Sequence, residues 1–341
     1  MKSIVLLEPG KFRIENIAEP APPGEEEAQV RVLQVGICGT DFHAFEGKQP
    51  FFTYPRVLGH ELAVEVIELG PTDMDHGLKV GDRCCVQPYF NCGKCGACLR
   101  GLDNCCTKMQ VFGVHRDGGM REIVNVPINK LIKGTQTNDE LAIVEMLSIG
   151  SHAVRRAAIA SNDTVLVIGV GPIGLGIALS AVQTGARVIV ADISQSRLNF
   201  ANKHLGIQDC IKADENIREH LGALTDGDLP NAVFDATGNS KSMHNSFQFP
   251  AHGGRLTFVG LFSGDITFND PEFHRRELTL LASRNANRQD FDNVLQMLDK
   301  GNVDISSWIT HRASPQAMIE DFSSWLNPSS NVIKAMVSFQ W

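Results

Sequence analysis

The chain of 341 residues carries a formal net charge of −8, with 21% charged and 43% hydrophobic residues. That length accommodates two or three domains with cores of their own, and the acidic balance argues against a basic surface for nucleic acid or anionic lipid. No run of about 18 apolar residues marks a membrane span, and the opening "MKSIVLLEPGKFRIEN" returns to charge too soon for a secretory signal, so a cytoplasmic protein is expected.

The first part of the chain reads as β-rich. "AQVRVLQVGIC" and "ELAVEVIELG" are short strands set among frequent Gly and Pro, the texture of a barrel-like domain. Directly after the first strand, "GICGTDFHAFEG" supplies Cys38, Thr40, Asp41 and His43, and "YPRVLGHELAVEV" supplies His60 and Glu61. Far along, "AIVEMLSIGSHAV" adds Glu145. A thiol, an imidazole and carboxylates drawn from separated segments suit a catalytic zinc, which keeps one coordination position open.

Between these segments lies "NCGKCGACLRGLDNCC", which packs five of the nine cysteines into residues 91–106. A chain of this length needs no disulfide staples, and closely spaced thiols in a reducing compartment more often bind metal or do redox chemistry. Cys92, Cys95, Cys98 and Cys106 form C-x2-C-x2-C-x7-C, with Gly93, Gly96 and Gly101 letting the backbone wrap a small ion. Four thiolates from one short loop suit a closed structural zinc site, which would contribute on the order of 10 kcal/mol to folding the lobe. On spacing alone an iron–sulfur cluster or a redox pair remains open. Cys106, rather than the adjacent Cys105, is assigned as the fourth ligand.

At residues 165–194 the pattern changes to "VLVIGVGPIGLGIALSAVQTGARVIVADIS". "VLVIG" is a continuous apolar run, as in a parallel strand buried on both faces. It leads through Gly169, Gly171, Pro172, Ile173 and Gly174, a G-x-G-x-x-G turn, into a helical pattern ending near Gln183. A second strand, "RVIVAD", ends in Asp192, 18 residues after the last glycine. Glycines there let backbone amides approach a pyrophosphate at a helix N-terminus. Asp192 is expected to accept hydrogen bonds from the adenosine ribose and to repel a 2′-phosphate, which favours NAD over NADP. Arg197, on the following helix, is a further candidate cofactor contact. "NAVFDATG", "GRLTFVGLF" and "ELTLLAS" read as further buried strands, with helical segments around 195–205 and 239–249. The tail holds a helix, "RQDFDNVLQMLDKG", and a last strand, "VIKAMVSF".

In their order and separations, the cysteine lobe, "GICGTDFH", "GHE", "EMLSIG" and the glycine turn resemble the zinc-dependent medium-chain alcohol dehydrogenases. The resemblance covers essentially the whole chain. It implies an α/β protein with a GroES-like β-rich catalytic domain (1–149, with the zinc lobe at 91–106), a doubly wound Rossmann domain for NAD (150–285) and a return to the catalytic domain (286–341). It also implies two zinc ions per subunit, one catalytic and one structural, and a homo-oligomer, dimer or tetramer. By position in the motifs, Cys38 and His60 carry over as catalytic zinc ligands. Glu61 and, in the polyol-dehydrogenase branch, Glu145 carry over as carboxylates that reach the metal directly or through water. This chain has Met146 where that branch usually has proline.

The implied chemistry is hydride transfer from an alcohol whose hydroxyl pKa is lowered by zinc. Thr40 is placed by the motif to accept the hydroxyl proton and pass it on to His43, while Asp41 orients His60. Stretches such as "QVFGVHRDGGM", "SHAVRRAAIA" and "NDPEFHRRELTLLASRNA" resemble the branch that oxidises sugar acids, L-galactonate or L-gulonate at C5. A sugar-acid carboxylate needs a cation or several donors, and His115, Arg116, His152 and Arg284 are the candidates. Neutral polyols such as sorbitol or galactitol, and L-threonine, are alternative substrates on the same fold. A non-catalytic protein that binds NAD and zinc is a reading from another class.

Overall fold

The computed structural model describes residues 1–49, 52–73, 75–301 and 303–339. The chain divides into two compact units, Met1–Met146 with Asn287–Trp341, and Leu147–Ala286.

In the first unit the strand Glu27–Ile37 alternates between core and surface, and its Ala28, Val30, Val32 and Val35 are fully buried. It is the hub of a seven-stranded sheet in which Ile309–Ala313, Lys334–Ser338, Glu27–Ile37, Glu61–Leu69, Arg83–Val86 and Leu131–Lys133 lie side by side, with Ile123–Pro127 also paired to the hub. The terminal strand Lys334–Ser338 runs antiparallel to the hub, with Ala335 opposite Ile37 and Met336 opposite Gly36. On the other side of the hub Gly36 faces Glu61. This register brings the last strand of the chain within one strand of Glu61. The helix Pro315–Trp325 is capped by Ser314, whose hydroxyl accepts the Ala317 amide at 3.2 Å. Its Phe322 joins Phe12 and Phe45, with ring centroids 4.9 to 5.3 Å apart.

The second unit is built on a fully parallel sheet, in the spatial order Asp209–Lys212, Arg187–Asp192, Thr164–Ile168, Ala232–Asp235, Arg255–Phe258, Thr279–Ala282. Numbered along the chain this is 3-2-1-4-5-6, the doubly wound arrangement whose order reverses beside the first strand. The glycine turn sits at that reversal, following Thr164–Ile168 and leading into the helix Pro172–Gln183. Gly169 adopts φ +85°, where a side chain would be strained, and a Cβ on it would lie 2.8 Å from Thr237 at the end of the neighbouring strand. The expectation of a buried strand in "ELTLLAS" is corrected by the fold. Thr279–Ala282 is the outer edge of the sheet, and Thr279, Leu280 and Ala282 are exposed. Sequence reading also passed over the short strand Asp209–Lys212 at the opposite edge. Among the described residues no helix is long and apolar enough to cross a membrane.

Two glycines of this unit separate space from propensity. A Cβ on Gly174 would fall 1.8 Å from the Gly169 carbonyl oxygen, whereas one on Gly222, inside the helix Ile217–Leu224, would meet nothing within 4 Å. Gly174→Ala is expected to destabilise the protein by about 1–3 kcal/mol, and Gly222→Ala to stabilise it by about 0.5–1 kcal/mol, both read from urea unfolding midpoints.

Candidate active site and metal-binding clusters

The sheet of the first unit assembles the first cluster. Cys38 follows the hub strand directly and caps the helix Gly39–Phe45, where its amide donates to Asp41 Oδ2 at 2.9 Å. Glu61 opens the adjacent strand and His60 directly precedes it. Candidate ligand atoms of Cys38, His60 and Glu61 lie within 4.8 Å of one another. Glu145, from the helix Asn138–Arg156, is buried and close enough for its charge to act on His60. The expected orienting contact of Asp41 with His60 is looser than a hydrogen bond, since His60 Nδ1 stands 3.9 Å from Asp41 Oδ1.

Three buried carboxylates, Asp41, Glu61 and Glu145, and one thiol therefore share a site whose buried ammonium is Lys334. Lys334 Nζ donates to both oxygens of Glu61 at 2.7 Å and to the Ile37 carbonyl at 3.2 Å. Burial pushes the carboxyls of Asp41 and Glu145 above their ordinary range. Burial opposes a charge on His60, but the neighbouring Cys38 sulfur and Asp41 carboxylate outweigh it and raise the imidazole well above its usual value. A site that draws protons in this way has an unmet demand for positive charge. Asp41 Oδ1, His60 Nδ1 and Glu145 Oε2 are also buried without a hydrogen-bond partner. A thiol, an imidazole and a carboxylate within 4.8 Å of one another fit a divalent zinc ion in donor type and charge.

Lys334, Gly36 and Tyr89 were missed by sequence reasoning. A Cβ at Gly36 would come within 2.1 Å of Glu61 Oε2, so the ion pair requires glycine there. The available signal was the lone lysine in the apolar strand "VIKAMVSF". Tyr89 is buried, and its hydroxyl donates to Glu145 Oε1. Thr40 and His43 lie three residues apart on the helix Gly39–Phe45, hence on one face, the first half-buried and the second exposed.

Cys92, Cys95, Cys98 and Cys106 form the second cluster. The amides of Cys92 and Lys108 donate to Cys106 Sγ at 3.2 and 3.3 Å, and Cys106 is buried while Cys105 is exposed. Backbone amides of Cys98 and Thr107 hold the Cys95 thiol down to about 5. Beneath the lobe the buried Lys130 donates to Asn91 Oδ1 at 2.7 Å, and Asn91 Nδ2 bonds Asp103 at 2.9 Å and reaches Cys98 Sγ at 3.6 Å. Amide donors and a nearby ammonium offset the charge that four thiolates bring to a metal. Cys84 and Cys85 are buried in the sheet, and burial pushes the Cys84 thiol up to about 12. They are packing residues, not ligands.

In the second unit Asp192 is bound by the backbone around it. Its Oδ2 accepts the Val170 amide at 2.6 Å, inside the glycine turn, and its Oδ1 accepts the Ser194 amide at 2.8 Å. Arg197 Nη1 lies 3.8 Å from Oδ2. The acid thus fixes the turn as well as standing at the strand end. The space around Gly171 is open save for the Arg197 guanidinium, 3.8 Å from where a Cβ would be.

The four candidate substrate cations are not gathered into one place within either unit. His115 and Arg116 are exposed in the first unit, where His115 Nδ1 accepts the Val111 amide at 3.0 Å and the Arg116 guanidinium lies 4.8 Å from the Phe90 ring centroid. In the second unit His152 is buried, its Nδ1 3.1 Å from Arg155 Nη2, while Arg284 is exposed beyond the edge strand.

Residues 24–136 match the family model described as the alcohol dehydrogenase GroES-like domain, and residues 172–300 match that of the zinc-binding dehydrogenases. The chain is similar to the L-galactonate-5-dehydrogenase of Escherichia coli (strain K12), 42% identical over 318 residues and 93% of each chain. It is also similar to a sorbitol dehydrogenase of Halalkalibacterium halodurans, 30% identical over 91% of this chain and 92% of that one. Among solved structures, a short chain alcohol dehydrogenase from Escherichia coli CFT073, complexed with NADH, matches with a TM-score of 0.91 and 29% identity over 99% of both chains.

The Lys334–Glu61 pair yields a direct test. Lys334→Met leaves a carboxylate buried without its counter-charge and is expected to cost about 3–5 kcal/mol. Adding Glu61→Leu removes the orphaned charge and is expected to recover most of that loss in denaturant unfolding.

Proposed function

Because the chain belongs to the zinc-binding alcohol dehydrogenase family, we propose that this oxidoreductase oxidises a secondary hydroxyl of a sugar acid, L-galactonate or L-gulonate at C5, with NAD as acceptor. The observation that carries the substrate class is the 42% identity to an L-galactonate-5-dehydrogenase over 93% of both chains, against 30% to a sorbitol dehydrogenase.

In this reading Cys38, His60 and Glu145 hold a catalytic zinc, and Cys92, Cys95, Cys98 and Cys106 hold a structural one. Glu61 belongs to the first cluster and has its charge balanced by Lys334. Bound in these places, zinc supplies a Lewis acid for the substrate hydroxyl and NAD supplies the hydride acceptor. Thr40 Oγ1 takes the hydroxyl proton, and the exposed His43 on the same helix face delivers it to solvent. Asp41 holds the start of that helix through the Cys38 amide and faces His60 with its other oxygen. The amides of the glycine turn receive the pyrophosphate, and Asp192, pinned by Val170 and Ser194, receives the adenosine ribose and disfavours a 2′-phosphate.

A neutral polyol is the second reading, favoured by the engagement of Arg116 with Phe90 and of His115 with the Val111 amide. The exposed edge strand Thr279–Ala282 suits pairing with a second copy, and we assign a homo-oligomer of dimer or tetramer size. Reliance on metal-bound thiols suits a reducing, cytoplasmic setting.

The zinc-loaded enzyme is expected to reduce NAD with L-galactonate or L-gulonate and not with the matching alditols, followed by absorbance of NADH. Turnover on alditols alone overturns the sugar-acid reading. Cys38→Ala is expected to lower kcat by at least about 100-fold and to remove one of two zinc equivalents, whereas normal turnover with full metal content would dismiss this centre. Asp192→Asn is expected to cut the NAD-over-NADP preference in kcat/KM by about 10-fold or more.

A further inference from the structure

We infer that Tyr89 is a positioning residue for the metal-binding acid, its phenol O–H holding Glu145 Oε1 so that Oε2 of the same carboxylate is presented to a cation held by Cys38 and His60. The inference rests on the reading of Glu145 as a ligand given above.

Glu145 projects from a helix, and a free glutamate there has three torsions and many ways to point. The two oxygens are treated differently by the protein. Oε1 accepts from Tyr89, whereas Oε2 is buried without a partner. Leaving one carboxylate oxygen dry and unpaired is costly unless something occupies it. The phenol that fixes the other oxygen is itself held on several sides. Tyr89 is 3% exposed, pairs with Val111 in the short antiparallel ladder of Tyr89–Phe90 and Gln110–Val111, and sets its ring edge-on to Phe291 with centroids 6.4 Å apart. Two residues later Asn91 is anchored by Lys130 and Asp103. Tyr89 therefore has little freedom to follow Glu145, and the acid must come to it.

A buried tyrosine needs some acceptor for its hydroxyl, and a backbone carbonyl would serve stability equally well. Here the acceptor is one of two acids of the site with an unused oxygen, the other being Asp41, which is tied to the Cys38 amide; Glu61 spends both of its oxygens on Lys334. The phenol is a donor to Oε1, and a donor to one oxygen leaves the other with a defined direction.

The test compares Tyr89→Phe, Glu145→Gln and the double variant, using Zn²⁺ and Co²⁺ alone as probes in chelator competition, with the visible spectrum of the Co²⁺ form as a report on coordination. Tyr89→Phe is expected to weaken metal binding at the Cys38 and His60 centre by about 10–100-fold and to change the Co²⁺ bands, while the four-cysteine lobe keeps its metal. The change is expected to vanish in the Glu145→Gln background, because the hydroxyl acts only through that acid. Wild-type affinity and spectrum in Tyr89→Phe, or an equal loss with Gln at position 145, overturns the role of Tyr89 while leaving Glu145 a ligand. Wild-type affinity in Glu145→Gln overturns both. The chain has two tyrosines, Tyr54 and Tyr89, so 3-fluorotyrosine labelling gives a second measurement on the intact sequence. The ¹⁹F resonance lost in Tyr89→Phe, or the one left in Tyr54→Phe, is expected to shift when Zn²⁺ fills the catalytic centre. A resonance unmoved by Zn²⁺ counts against the proposal.

Discussion

The buried ion pair between Lys334 and Glu61 is the constraint on which the first unit depends. Both side chains are essentially inaccessible, and they meet because the last strand of the chain and the strand Glu61–Leu69 flank the same hub strand. The pair costs much desolvation, and its net contribution to stability is small or negative compared with an apolar alternative. Its value lies in register. Shifting the terminal strand by one residue would turn Lys334 to the opposite face of the sheet and strand Glu61. The same pairing explains Gly36, whose missing side chain leaves the space that the Glu61 carboxylate occupies. A chain that closes its sheet with its own C-terminal strand thus also sets the charge beside Cys38 and His60.

The two candidate metal-binding clusters are assembled by opposite strategies. The four-cysteine lobe is local, with its ligands inside residues 91–106 and its donors oriented by nearby amides. Such a site needs little from the rest of the fold beyond a base, which Lys130 and Asn91 provide. The cluster at Cys38 is non-local, drawn from the ends of two strands and the middle of a helix far along the chain. Its two glutamates are each held by a neighbour that is not itself a candidate ligand, Glu61 by Lys334 and Glu145 by Tyr89. A structural metal can fold its own loop, but a catalytic one must be handed a geometry that already exists.

Legibility in the sequence followed this division. The lobe, the glycine turn and the parallel strands were readable because spacing and apolar runs are local signals, and the sheet order 3-2-1-4-5-6 agrees with the strand, turn, helix, strand pattern. What failed was whatever depended on position in the finished sheet. "ELTLLAS" is apolar, and its composition alone does not distinguish an edge strand from a central one. Asp192 was readable as an acid at a strand end, but its bonds to Val170 and Ser194 follow from the three-dimensional turn. Lys334 and Tyr89 were illegible because each acts on a residue more than fifty positions away, Glu61 and Glu145 respectively. No periodicity announces such a pair.

These distant partners give the site its asymmetry. Glu61 and Glu145 have the same chemistry and similar burial, and by sequence either can serve a metal. The fold separates them by what it sets opposite each. An ammonium that binds both oxygens balances the charge of Glu61. A neutral phenol binds one oxygen of Glu145, fixes the plane of the carboxylate and leaves the other oxygen without a partner. The fold thus sets a charged donor opposite one of two identical side chains and an uncharged donor opposite the other.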